Sequence, residues 1–104
     1  MLNISEFQKM NQLEKIAITK HGKTRMEERG ILTDDVVNGI NTGEIIKQYE
    51  DDKPLPSCLV LGKSCTGKMI HLVLSHDDDF IYLITAYYPD MQIWSEDFRK
   101  RKER

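Results

Sequence analysis

SCLVLGKSCTGKMIHLVLSHDDDFIYLITAYY, residues 57–88, carries three apolar runs rich in β-branched and aromatic residues, separated by GKSCTGK and HDDD. Gly, Ser and Asp supply the backbone conformations that a strand cannot adopt, so the stretch predicts a three-stranded antiparallel meander. Its middle run, Met69 to His76, is apolar on both alternating sets: Ile70, Leu72 and Leu74 on one side, Met69 and Val73 on the other. That is the pattern of a central strand covered on both faces. His71 interrupts it, and an imidazole in such a place needs a hydrogen-bond partner or a pocket.

Working outward from the meander, EIIKQYE at residues 44–50 reads as a fourth strand. The spacing places Ile45, Lys47 and Tyr49 on one face and Ile46 on the other. Along the last strand, alternation places Ile81, Leu83, Thr85 and Tyr87 together, opposite Phe80, Tyr82, Ile84, Ala86 and Tyr88. EDDKPLP between residues 50 and 56 is a polar loop stiffened by two prolines. Upstream, Ser5 and Gln8 form a capping-box pattern, and Phe7, Met10, Leu13 and Ala17 recur at helical spacing, predicting an amphipathic helix over 5–19. HGKTRMEERG predicts a second helix over 21–30, closed by Gly30. Thr33, followed by Asp34 and Asp35, is the expected cap of a third helix over 33–42. Trp94 and Phe98, four apart with Ser95 as a cap, predict a short helix over 94–101. The predicted fold is α+β: one domain over 1–104, with strands at 44–50, 57–63, 68–76 and 79–88 forming a four-stranded antiparallel sheet under N-terminal helices.

A chain of 104 residues can bury one core. No apolar run approaches the roughly 20 residues of a membrane span, and MLNISEFQKMNQLEK lacks the basic opening and apolar segment of a signal peptide. The cytoplasm is the expected location, where Cys58 and Cys65 would remain thiols. The net charge of −2 hides an asymmetry. Residues 1–30 carry six Lys/Arg against four Asp/Glu, residues 31–98 four against twelve, and residues 99–104 five against one. The acidic middle argues against a general nucleic-acid coat, but a basic surface forms if the two ends meet.

Several motifs carry possible chemistry. His21, Arg25 and Arg29 stand at i, i+4 and i+8, one side of a helix. Either they face an anion or they are a solvated charged face. Gly62, Gly67 and Lys68 match G-x-x-x-x-G-K, but Met69 replaces the Ser or Thr that a phosphate-binding loop requires and a strand replaces its helix, which excludes a nucleotide cofactor. His76 with Asp77, Asp78 and Asp79 reads as a turn, not a metal site. No metal or other cofactor is expected.

Together these residues resemble a bacterial domain-of-unknown-function family numbered 4258. The resemblance lies in H-x-x-x-R-x-x-x-R-x-I at His21 to Ile31, G-E-I-I with a Tyr at Gly43 to Tyr49, and P-S-C-L-V-L-G at Pro56 to Gly62. It continues through I-H-L-V at Ile70 to Val73 and I-T-A-Y-Y-P with W-x-x-D-F at Ile84 to Phe98. It covers about residues 20–101 and leaves the first helix outside. The family looks like a relative of the RelE-like toxin superfamily, which implies N-terminal helices on a small antiparallel sheet and metal-free RNA cleavage.

Two functions of different kind follow as expectations. The first is a metal-independent endoribonuclease toxin, with RNA and a small antitoxin-like protein as partners and no membrane. Such cleavage needs a base for the 2′-hydroxyl, a cation for the phosphate and an acid for the leaving oxygen. His71 and His21 are the expected acid and base, Tyr87 a proton donor or stacking platform, and Arg25, Arg29 and Arg99 the phosphate-binding cations. This requires the His21 side of the second helix to approach His71 and Tyr87. The second is a non-catalytic protein- or anion-binding module in which His71 is a satisfied core histidine.

Overall fold

In a computed structural model that describes residues 1–102, the meander is the middle of a five-stranded mixed sheet. The elements in order are α1 (Ile4–Lys9), a 3-10 turn (Leu13–Lys15), β1 (Ile16–Ile18), α2 (Lys20–Arg29), α3 (Thr33–Asn41), β2 (Glu44–Tyr49), β3 (Ser57–Lys63), β4 (Met69–His76) and β5 (Ile81–Tyr87). The strand order is β1-β5-β4-β3-β2. The four strands expected from the sequence pair antiparallel, and β1 adds a parallel partner along β5, with Ile16 opposite Ile81 and Ile18 opposite Leu83.

β1 corrects the helix expected over 5–19. Asn3, not Ser5, caps α1, its side chain accepting from the Ser5 amide. α1 ends at Lys9 with Met10 as its cap, and the Asn11 side-chain amide then donates to the Val37 carbonyl and to Asn41 Oδ1, both at 2.9 Å, fixing the chain against α3. The β-branched Ile16 and Ile18 then extend along β5, where pairing outweighs their weak helix propensity. Thr19 caps α2 by accepting from the Gly22 amide at 3.0 Å. Gly30 ends α2 at φ 67°, as its left-handed cap requires. For α3 the cap position is Leu32, one residue before Thr33, and Asp35 Oδ2 accepts the Leu32 amide at 2.9 Å.

One face of the sheet carries the core. Ile70, Leu72 and Leu74 of β4, Cys58 and Val60 of β3, and Ile81, Leu83 and Ala86 of β5 are fully buried there beneath Phe7, Met26, Val36 and Ile40. At about 25 cal/mol per Å² this apolar burial is the main source of stability. α3 lies close on β3: a Cβ built on Gly62 would sit 2.1 Å from the Gly39 carbonyl oxygen, so only glycine permits this approach. Burial pushes the Cys58 thiol up to about 12, leaving it a core group and not a nucleophile.

Two bulges decide what the other face carries. The β4–β5 register steps from Val73 opposite Thr85 to Leu74 opposite Leu83, so Ile84 is an extra residue. Strict alternation would set Tyr87 on the side of Leu83, whereas the bulge transfers it to the side of His71, its cross-strand partner. A second bulge steps from Ile45 opposite Val60 to Lys47 opposite Leu59. Ile45 therefore packs with the core, while Lys47 and Tyr49 join Tyr87 and His71 on the open face.

The short helix expected over 94–101 does not form. Trp94 and Arg101 make an antiparallel bridge, Ser95 and Lys102 donate backbone bonds to Lys100 and Ile93, and Asp97 accepts from Ser95 Oγ and the Arg99 amide. These local bonds reverse the chain, with Phe98 at φ 60°, before a helical turn can close. The result is a hairpin-like strap over the open face, and the final two residues of the basic run lie outside the described ones. GKSCTGK forms the β3–β4 turn, with Gly67 at φ 86°. In HDDD, Asp77 Oδ1 accepts the Asp79 and Phe80 amides, making a turn. Among the described residues no group of three or more His, Cys, Asp or Glu could hold a metal ion, and no helix is long and apolar enough to cross a membrane.

Candidate functional site

His71 sits in the middle of the sheet because β4 is its central strand, and it faces away from α2 and α3 because its neighbours Ile70 and Leu72 take the core side. It is fully buried. The strap covers it: the Trp94 ring lies edge-on with centroids 4.4 Å apart, and the Phe98 carbonyl is 2.9 Å from Nε2. A carbonyl oxygen can only accept, so Nε2 carries the proton. In the neutral ring, Nδ1 is then the acceptor, and it takes the Tyr87 hydroxyl at 3.1 Å. Burial holds the His71 pKa below the usual histidine range, and the Phe98 carbonyl only partly opposes it. The imidazole is a neutral base whose one free lone pair is aimed at a phenol.

Tyr87 connects this buried ring to the surface. Burial raises its pKa, with Tyr49 adding to the rise and Arg101 and Arg29 opposing it, so the phenol keeps its proton at neutral pH. It lines a groove of about 430 Å³ together with Lys47, Tyr49, Trp94, Arg99, Lys100 and Arg101. Tyr49 stands beside the Lys47 ammonium, 5.5 Å from ring centroid to Nζ. Aromatic faces and cations side by side on an open sheet offer stacking to bases and attraction to phosphates. The groove's position reflects the charge asymmetry, since the basic C-terminal run folds back over β2.

The expected cationic ridge of α2 does not close over His71. His21 is exposed, and α2 lies on the opposite face of the sheet from the imidazole. Arg25 turns to Glu28, 3.2 Å away and largely in solvent. Arg29 alone reaches toward the site. Its Nη1 donates at 2.8 Å to the Ala86 carbonyl, beyond the end of β1, and its guanidinium carbon stands 6.0 Å from the centre of the Tyr87 ring. The three residues lie at helical spacing on α2, but the face they share is not the face that meets His71. Arg99 lies in the groove, held by ion pairs with Glu44 and Asp97.

Of the expected site residues, the fold therefore brings together His71, Tyr87 and Arg99, with Arg29 at the margin, and separates His21 and Arg25 from them. It adds Lys47, Tyr49, Trp94, Lys100 and Arg101, which sequence reasoning did not assign to the site. The signals were an exposed-looking lysine and tyrosine at strand spacing and a basic C-terminal run. Without the bulges and the strap nothing linked them.

A family model described as a domain of unknown function (DUF4258) matches residues 18–88, and the chain belongs to that family. The matched span includes His71 and Tyr87 and stops short of Trp94 to Phe98. No curated protein and no solved structure matches the chain.

Proposed function

We propose that this member of the DUF4258 family binds single-stranded RNA in the groove of the open face and cleaves it without a metal, in the manner of a RelE-like toxin. One observation carries the reading: a phenol at the wall of a basic, aromatic groove is hydrogen bonded to a neutral imidazole whose tautomer a backbone carbonyl fixes. In this scheme the attacking 2′-hydroxyl gives its proton to Tyr87 Oη as Tyr87 passes its own to His71 Nδ1, the 2′-oxygen bonds to phosphorus, and the 5′-oxygen departs as its bond to phosphorus breaks, taking a proton from water in the open groove. Arg101, Lys100 and Arg99 counter the charge that develops on the phosphate. A protein antitoxin would cover the same basic groove.

The test is purified protein with single-stranded RNA in the presence of a chelator, wild type beside Tyr87→Phe. The nuclease reading expects products with 2′,3′-cyclic phosphate ends, a loss of at least about a hundredfold in rate for Tyr87→Phe, from the size of general acid–base catalysis, and RNA affinity within about twofold. A second reading, the non-catalytic binding module, is favoured by the full burial of His71 with both ring nitrogens bonded. RNA that binds with a steep salt dependence and is not cut by the wild type would establish that module instead.

A further inference from the structure

The open face carries a second concavity at the opposite end from His71. Thr19, Asp52, Pro54, Leu55, Tyr82 and Ile84 enclose about 430 Å³, with Ser75 at its floor. This volume falls within the range of small-molecule sites. Ile84 turns into it because it is the extra residue of the β5 bulge, and Tyr82 faces it as the cross-strand partner of Ser75. The Tyr82 ring is held in place by its hydroxyl's bond to Asp77. The walls are thus an aromatic ring and aliphatic side chains, together with Thr19 and the Lys53 side chain, whose cation adds attraction for a phosphate of the same strand.

The polar group at the rim is specific in kind. Ser57, itself fully buried, donates its hydroxyl to Asp52 Oδ2, which orients the carboxylate. Among the described residues no donor reaches Oδ1. A carboxylate accepts and cannot donate, so it selects an edge with two adjacent donors. Guanine presents N1–H and N2–H side by side. Adenine and cytosine each set one amino donor beside a ring acceptor, and uracil offers one N–H between two carbonyls. Across the bulge, Tyr82 and Tyr87 stand opposite Ser75 and His71, four residues apart on β4, about 14 Å at the rise of a strand, a distance that a short single strand bridges.

We infer that this pocket takes an unstacked guanine from the RNA strand lying in the basic groove, with Tyr82, Leu55 and Ile84 against its ring and the Asp52 carboxylate on its N1–H and N2–H donors. The inference rests on the RNA reading above and adds its base preference.

The test is fluorescence anisotropy with short, labelled 2′-O-methyl oligoribonucleotides, which a 2′-hydroxyl-dependent nuclease cannot cut, each carrying one guanine, inosine or adenine in a uridine background. The expected result is at least about tenfold tighter binding for guanine than for adenine, from the discrimination of a bidentate base contact. Inosine, which lacks the N2 amine, should fall between them. Asp52→Asn should remove the preference and leave the affinity for the adenine oligomer within about twofold. Asn can still accept from Ser57, and if the variant nevertheless fails to fold, the inosine series on the wild type decides. Equal binding of all three oligomers, or a guanine preference that survives Asp52→Asn, overturns the pocket and leaves the groove reading standing. Failure of every oligomer to bind overturns both.

Discussion

Replacing Tyr87 with phenylalanine removes one oxygen atom and should destabilise the protein well beyond an ordinary surface change. His71 is fully buried, and its Nδ1 has the Tyr87 hydroxyl at 3.1 Å as its donor. Phenylalanine keeps the ring but leaves that lone pair without a partner in a place water does not reach. Moving the ring proton to Nδ1 does not help, because Nε2 would then turn a lone pair on the Phe98 carbonyl at 2.9 Å. The cost of an unsatisfied buried acceptor is about 1–3 kcal/mol. For a domain of this size each kcal/mol lowers the melting temperature by roughly 4–8 °C. Urea unfolding at pH 8, where His71 is neutral, measures it directly. His71→Leu and the double variant complete a cycle: if the two groups are bonded, the double variant loses less than the sum of the single changes. A Tyr87→Phe variant within about 0.5 kcal/mol of wild type, with additive losses in the cycle, would refute both the bond and the proton path built on it.

The depressed pKa of His71 also sets a pH dependence. The unfolded chain gains a proton on this histidine as pH falls below about 6.5, while the folded chain, with the imidazole desolvated, resists it until lower pH. Stability is therefore complete above pH 6.5 and falls as pH drops toward the folded value, by at most about 1.4 kcal/mol per pH unit from this group. Urea midpoints between pH 8 and 5 should show the decline, and His71→Leu should lack this part of it. The carboxylates of Asp35 and Asp97, whose pKa values are lowered, contribute only at more acidic pH, below their usual range. Gly62→Ala would press a methyl group on the Gly39 backbone carbonyl and force α3 off β3, costing about 3 kcal/mol or more. A soluble Gly62→Ala protein with the wild-type melting curve would show that α3 does not pack as described.

Periodicity and turn chemistry are local properties, and they determined much of this protein. The meander at residues 57–88, the cap at Gly30, the amphipathic α3 and the core stripe of Ile70, Leu72 and Leu74 are written in spacings of two or about four residues and in the positions of Gly and Asp. His71 stood out in the sequence because it broke such a pattern. Tertiary structure alone decided which side chains share its face. One extra residue in a strand reverses every side chain beyond it, so the bulges at Ile46 and Ile84 transferred Lys47, Tyr49 and Tyr87 to the open face, and no count of alternation can locate an insertion that only partner strands define. Ile16 to Ile18 became a strand because an edge of β5 was free to pair, and the C-terminal run became a strap because backbone bonds between Ser95 and Lys100 and between Ile93 and Lys102 outweighed its helical spacing. α2 kept its His21, Arg25 and Arg29 alignment, yet the packing of Met26 into the core placed that helix on the far side of the sheet from the histidine.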